Sequence, residues 1–144
     1  VYGEALDQSL HHQAYTFQSA VLMPDGDGYT MKPLPREAQF APGMGLIARD
    51  FNGDGQTDIL MAGNLHVSEV ETGRADAGIG LLLTGNGSGT FEPVEVSKSG
   101  FFAPGDVRDI KLLNLANNLT KLVIVARNNG PVSIYRTTAS KGAN

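Results

Sequence analysis

Gly45-Leu-Ile-Ala-Arg-Asp-Phe-Asn-Gly-Asp-Gly-Gln-Thr-Asp-Ile-Leu-Met-Ala-Gly63 sets a short apolar run on each side of an acidic, glycine-containing loop. The flanks read as β-strands, strand A over Gly45–Arg49 and strand B over Asp58–Gly63. Within the loop, Asp50, Asn52, Asp54 and Asp58 offer side-chain oxygens at positions 1, 3, 5 and 9. Gln56, at position 7, offers its backbone carbonyl. A calcium ion takes about six to eight oxygen ligands, so alternate residues of one tight loop can converge on it. Gly53 and Gly55 permit the left-handed backbone that such a wrap requires. Without an ion, three clustered carboxylates would repel one another. An EF-hand shares the opening of this spacing but closes with a bidentate Glu at position 12, where this chain has Met61. Its flanks would also be helical. Magnesium prefers a more open, hydrated site. The alternative is a metal-free turn held by Asp, Asn and Gly.

Working outward, the loop sits inside an internal repeat. Phe40-Ala-Pro-Gly43 recurs as Phe102-Ala-Pro-Gly105, an offset of 62 residues. Ahead of each copy lies an apolar run, a glycine-rich turn and a second run: Val21–Leu34 first, Leu81–Val94 second. The repeat unit is predicted to have four strands. In the central unit, strand C covers Ile79–Thr84 and strand D Thr90–Val96, joined by the hairpin Gly85–Gly89. In the last unit, strands fall at Val107–Leu113, Leu122–Ala126 and Val132–Arg136, and Asn129-Gly130 is a strong hairpin signal. The first unit supplies only Tyr15–Met23 and Tyr29–Leu34. Residues 1–14 are expected to form an arm, with a short helix or a loose segment over Glu4–Gln13. The division is then 15–39 as a partial blade, 40–101 as a complete blade with the calcium loop, and 102–144 as a second partial blade. The expected fold is all-β: a partial β-propeller of about two and a half four-stranded antiparallel blades, with the calcium loop between strands A and B of the central blade. Closure takes about four to eight blades. The chain is therefore expected to be a piece of a longer protein, or to complete its sheets with other copies.

The 144 residues suit a single domain, and 41% hydrophobic content can fill a core. There is no Cys, which excludes disulfides, thiolate metal sites and a Cys nucleophile. No stretch approaches the roughly 18 apolar residues of a membrane span. Charge is uneven: residues 1–109 hold all 15 acids and 6 of the 11 bases, while residues 110–144 hold 5 bases and no acid. Uniform nucleic-acid binding does not fit that distribution. Chance and a solvated surface account for it; the sharper reading is attraction between opposite ends of neighbouring copies.

Ala48-Arg-Asp-Phe-Asn-Gly-Asp-Gly-Gln-Thr-Asp-Ile-Leu60, followed by Leu81-Leu-Leu-Thr-Gly-Asn-Gly-Ser-Gly-Thr-Phe91, resembles an FG-GAP/VCBS repeat, the integrin-α-like propeller blade. The stretch from Leu34 to Tyr135 is similar to the C-terminal end of large exported bacterial VCBS-repeat proteins. Leu34-Pro-Arg-Glu-Ala-Gln-Phe40 before the loop and Val70-Glu-Thr-Gly-Arg-Ala-Asp-Ala-Gly-Ile-Gly80 after it both carry the likeness. The resemblance implies calcium at Asp50, Asn52, Asp54 and Asp58, an extracellular or cell-surface location in a bacterium, and a non-enzymatic binding or adhesion role. The last unit has no acid after Asp109, so one ion per chain is expected.

Other candidates are weaker. Asp25 and Asp27 lie in a hairpin turn with no third carboxylate. The adjacent His11 and His12 would point to opposite faces of a strand. No Ser, His and Asp form a recognisable nucleophilic arrangement. Glu69, Glu71, Arg74 and Asp76 fill the longest connection, either as ion pairs and turn bonds or as a contact site for a partner or glycan. The sequence thus predicts a calcium-binding extracellular module that self-associates through sheet edges or strand donation, into a filament or a ring. The alternative is a fragment of a larger propeller acting as a glycan-binding adhesin or a carbohydrate-active enzyme.

Overall fold

Short runs of alternating or continuous apolar residues, cut by Gly, Pro and Asn, build strands and little helix. A computed structural model describes residues 3–115 and 121–137. Its strands are β1 (Ala20–Asp25), β2 (Gly28–Pro33), β3 (Gly45–Arg49), β4 (Asp58–Ala62), β5 (Leu81–Gly85), β6 (Phe91–Val94), β7 (Val107–Asn114), β8 (Lys121–Arg127) and β9 (Ser133–Thr137). They form three antiparallel sheets in chain order, β1-β2, β3-β4-β5-β6 and β7-β8-β9. The chain is all-β.

The sheets stack face to face, with the four-stranded sheet in the middle. Strand β4 makes this arrangement legible. All five of its residues are buried, so it lacks the polar alternation of a strand with one wet face. Ile59 and Met61 pack with Leu83, Leu34 and Ala38, while Val21 of β1 lies against that cluster. Leu60 and Ala62 point the other way, into a core with Val107, Ile110, Val123 and Val125. The second interface is close. A Cβ placed on Gly45 of β3 would lie 2.6 Å from the Ile110 backbone nitrogen of β7. Phe101 and Tyr135 close the same core edge to face, with ring centroids 5.0 Å apart. The Tyr135 hydroxyl donates to the Phe102 carbonyl.

Element boundaries depart furthest from the sequence reading at β1, β6 and the arm. Strand β1 begins at Ala20, not Tyr15. The ladder ends where Leu34 N–H donates to the Ser19 carbonyl at 2.9 Å. There the Gln39 amide takes over, accepting from Ser19 N–H at 2.7 Å and donating to the Ser19 and Leu34 carbonyls. With Pro33 and Pro35 on the opposite strand, no partner among the described residues continues the pairing, and Tyr15 and Phe17 stand exposed. Strand β6 stops at Val94, and Val96–Ser99 forms a single helical turn, α1. Lys98 and Ser99 N–H donate to the Glu95 carbonyl, and Gly100 N–H to that of Val96, in place of a ladder with β5. In the arm, a 3-10 turn covers only Gly3–Leu6. Residues 1, 2, 116–120 and 138–144 lie outside the described residues, and with them part of the arm, most of the last unit's first turn and the end of that unit.

Candidate functional site

The Asp50–Asp58 loop joins β3 to β4 in the middle sheet, and its folding is dominated by carboxylates accepting backbone N–H groups. Asp50 Oδ1 accepts from Gly53 at 2.6 Å, and Oδ2 from Gly55 at 2.9 Å. Both glycines have positive φ, 88° and 82°, which turns their amides toward the Asp50 side chain. These two bonds hold the Asp50 carboxyl below its ordinary range; partial burial opposes them. Asn52 Oδ1 accepts from Asp54 N–H at 2.9 Å, and Asp54 Oδ1 from Gln56 N–H at 2.7 Å. The Asn52 amide donates to Asp54 Oδ2 at 2.9 Å, so these two side chains hold each other. The Gln56 side chain lies over the β5–β6 hairpin, where a Cβ on Gly87 would collide with its Oε1.

Asp58 does more than the spacing implied. It is fully buried at the start of β4. Its Oδ2 accepts from Phe51 and Asn52 at 2.8 and 3.3 Å, and its Oδ1 from Gly85 N–H at 3.0 Å. It therefore fastens the loop's first turn and the end of β5 to one carboxylate. The donor set is all oxygen, of the kind a hard cation takes. Yet among the described residues no three His, Cys, Asp or Glu side chains converge as a metal-ligand group. Asp54 turns along the loop toward Asn52 and Gln56.

Two buried polar residues that the sequence reading passed over lie at the other end of the middle sheet. Asn64 donates to the Gly78 and Gly105 carbonyls, both at 2.8 Å, and accepts from Gly78 N–H at 2.8 Å. It closes the long connection at its base and ties it to the third sheet. Asp106 is buried, with Oδ2 accepting from Arg108 at 2.9 Å and Asn128 at 3.0 Å. Burial alone would raise its pKa. The Asn128 and Arg108 bonds and the positive charges of Arg108 and His66 outweigh that, and the carboxyl sits below its ordinary range. The repeat signal placed Asp106 directly after the second Phe-Ala-Pro-Gly, which was the one clue to its position.

The long connection is a closed excursion: Leu65 and Ala75 exchange backbone hydrogen bonds of 2.8 and 3.0 Å. Glu69, Glu71, Arg74 and Asp76 stand exposed on it, and among the described residues none of them forms a salt bridge. The Asp25 carboxylate accepts from the Thr30 hydroxyl at 2.8 Å and serves its hairpin. His11 and His12 are exposed in the arm. A cavity of about 450 Å³, mostly apolar, opens at the strand ends opposite the acidic loop, between Phe40, Met61, Ile79 and Val94, with Glu37 and Glu95 beside it. Among the described residues no helix is long and apolar enough to cross a membrane. Comparisons with protein-family models, with curated proteins and with solved structures give no match.

Proposed function

We propose that this chain is a non-enzymatic, calcium-stabilised module of propeller-type blades, working outside the bacterial cell as a structural or interaction unit. The observation that carries this reading is the acidic loop bound into its sheet: Asp50 is held ionised by backbone amides, and Asp58 links the loop to β5. A cation at Asp50, Asn52, Asp54, Asp58 and the Gln56 carbonyl would exchange the Asn52–Asp54 hydrogen bond for coordination of both side chains. Calcium would then lock the β3–β4 turn and, through Asp58, the β5–β6 hairpin. Extracellular calcium sites work at roughly 10⁻⁴–10⁻³ M, which fits an exported module.

The non-enzymatic part draws support from the sequence, in which no Ser, His and Asp form a recognisable nucleophilic arrangement. Self-association through sheet edges draws support from the outer sheets, which have two and three described strands against four in the middle. Open edges present unpaired backbone groups to another chain. The resemblance to FG-GAP/VCBS blades agrees with the sequential stacking of antiparallel sheets, and it rests on the residues quoted above.

Thermal melting with and without chelator tests the metal. Calcium at a hundredfold excess over its dissociation constant should raise the melting temperature by roughly 5–10 °C. Asp54→Ala should abolish that increment, with the metal-free melting temperature little changed. An unchanged melting temperature on calcium addition would sink the calcium reading.

A further inference from the structure

Paired residues of an antiparallel ladder share a face, so the register assigns each side chain of the first sheet to an inner or an outer surface. The inner face carries Val21, Met23, Thr30 and Lys32. Val21 packs on the middle sheet, Met23 lies against Gly89, and Lys32 Nζ donates to the Ser88 carbonyl at 2.8 Å. The outer face carries Ala20 opposite Pro33, Leu22 opposite Met31, and Pro24 opposite Tyr29. All six are apolar. Leu22 is 63% and Tyr29 72% exposed. The third sheet repeats the arrangement at the other end of the stack. Its inner face packs Ile110, Val123 and Val125 into the core, while Leu113 pairs with Leu122 and Ile124 with Ile134 on the outer face. Ile134 is 62% exposed. Lys111, paired with Asp109 at 3.1 Å, and Arg136 flank this outer apolar patch.

We propose that the two outer faces bind each other: the first sheet of one copy stacks on the third sheet of the next, head to tail. The contact would continue, between chains, the face-to-face stacking that the chain already uses twice within itself. The end segments that carry the two faces have opposite net charge, which favours pairing unlike ends. Residues 1–39 hold five acids and two bases, and residues 102–144 two acids and six bases. The contact is heterologous, so it extends a stack unless the rotation between copies closes it. The inference rests on the reading that copies associate, and it assigns the contact to sheet faces where that reading used edges.

Analytical ultracentrifugation of the full chain, with Leu22→Glu, Ile134→Glu and a proline at the β9 edge (Arg136→Pro), tests it. Both Glu positions are exposed, and circular dichroism confirms that each variant is folded. Head-to-tail stacking predicts that each Glu variant alone associates at least tenfold more weakly than the parent. An equimolar mixture of the two should recover a dimer and nothing larger, because each brings one intact face. If Ile134→Glu still dimerises alone, the first-sheet faces pair with themselves and the proposal is overturned. Association that survives both Glu variants but not Arg136→Pro overturns it in favour of edges. A monomeric parent at high concentration removes both readings. Since the chain has no Cys, mixing Leu22→Cys with Ile134→Cys gives an independent readout. The expected disulfide product joins the two variants, and neither should cross-link efficiently to itself.

Discussion

At the scale of single residues, the polar groups inside this protein are joints. Asp58 and Asn64 stand at opposite ends of the β4 segment, one at its first residue and one just past its last. Each reaches out of its own strand, Asp58 to Gly85 and Asn64 to Gly78 and Gly105. The metal-like spacing made Asp58 legible as a candidate, but its link to β5 was invisible because the partner is a backbone amide 27 residues away. Asn64 carried no sequence signal at all, since a lone Asn after a glycine reads as a turn. Replacing it by Ala strands the Gly78 amide and frees two carbonyls. Such a loss should cost about 1–3 kcal/mol, measured by chemical denaturation. Asn64→Asp should not rescue, because a carboxylate cannot donate to Gly78 or Gly105.

At the scale of elements, β2, β3, β4 and the three strands of the third sheet lie within a residue of their expected bounds, whereas β1, β5 and β6 do not. β3 follows the expected Gly45–Arg49, because apolar periodicity and the loop bound it on both sides. β1 begins five residues after the expected start, because Tyr15 and Phe17 have strand propensity but no partner among the described residues. Propensity describes a strand's fitness and not whether anything is beside it. The same limit hid the packing between sheets, which depends on which side chains are absent. Gly45 is the example: its missing Cβ lets β3 approach β7. Gly45→Val should therefore destabilise the chain by about 1–3 kcal/mol or more. Leu46→Val, one residue along on the opposite face and exposed, should cost well under that. A denaturation midpoint for Gly45→Val equal to the parent's would refute the close contact.

At the scale of the whole molecule, the stack of three sheets was foreshadowed by the Phe-Ala-Pro-Gly repeat, whereas the outer faces emerged only once the ladder registers were known. Acid should act on the molecule as a unit. Asp50 and Asp106 both have folded-state pKa values below those of the unfolded chain. Their contributions to stability are complete above the ordinary Asp pKa of about 3.9 and vanish as pH falls through the lowered folded values. Stability should thus fall below about pH 4, and Asp106→Asn should flatten that fall in a melting series from neutral to acid pH. If the variant and the parent lose stability in parallel, Asp106 has no part in the acid response.

The doubly buried β4 has a consequence for how the molecule comes apart. Each outer sheet has one neighbour, and the middle sheet has two, so the energetics approach those of a short linear array in which coupling runs only between adjacent units. Loosening at either end leaves one interface whole, whereas opening β4 dissolves both at once. Backbone amides should then trade protons with solvent fastest in the first and third sheets and slowest along Ile59–Met61. The protein unravels from its ends, and any copy stacked upon an end would slow that end alone.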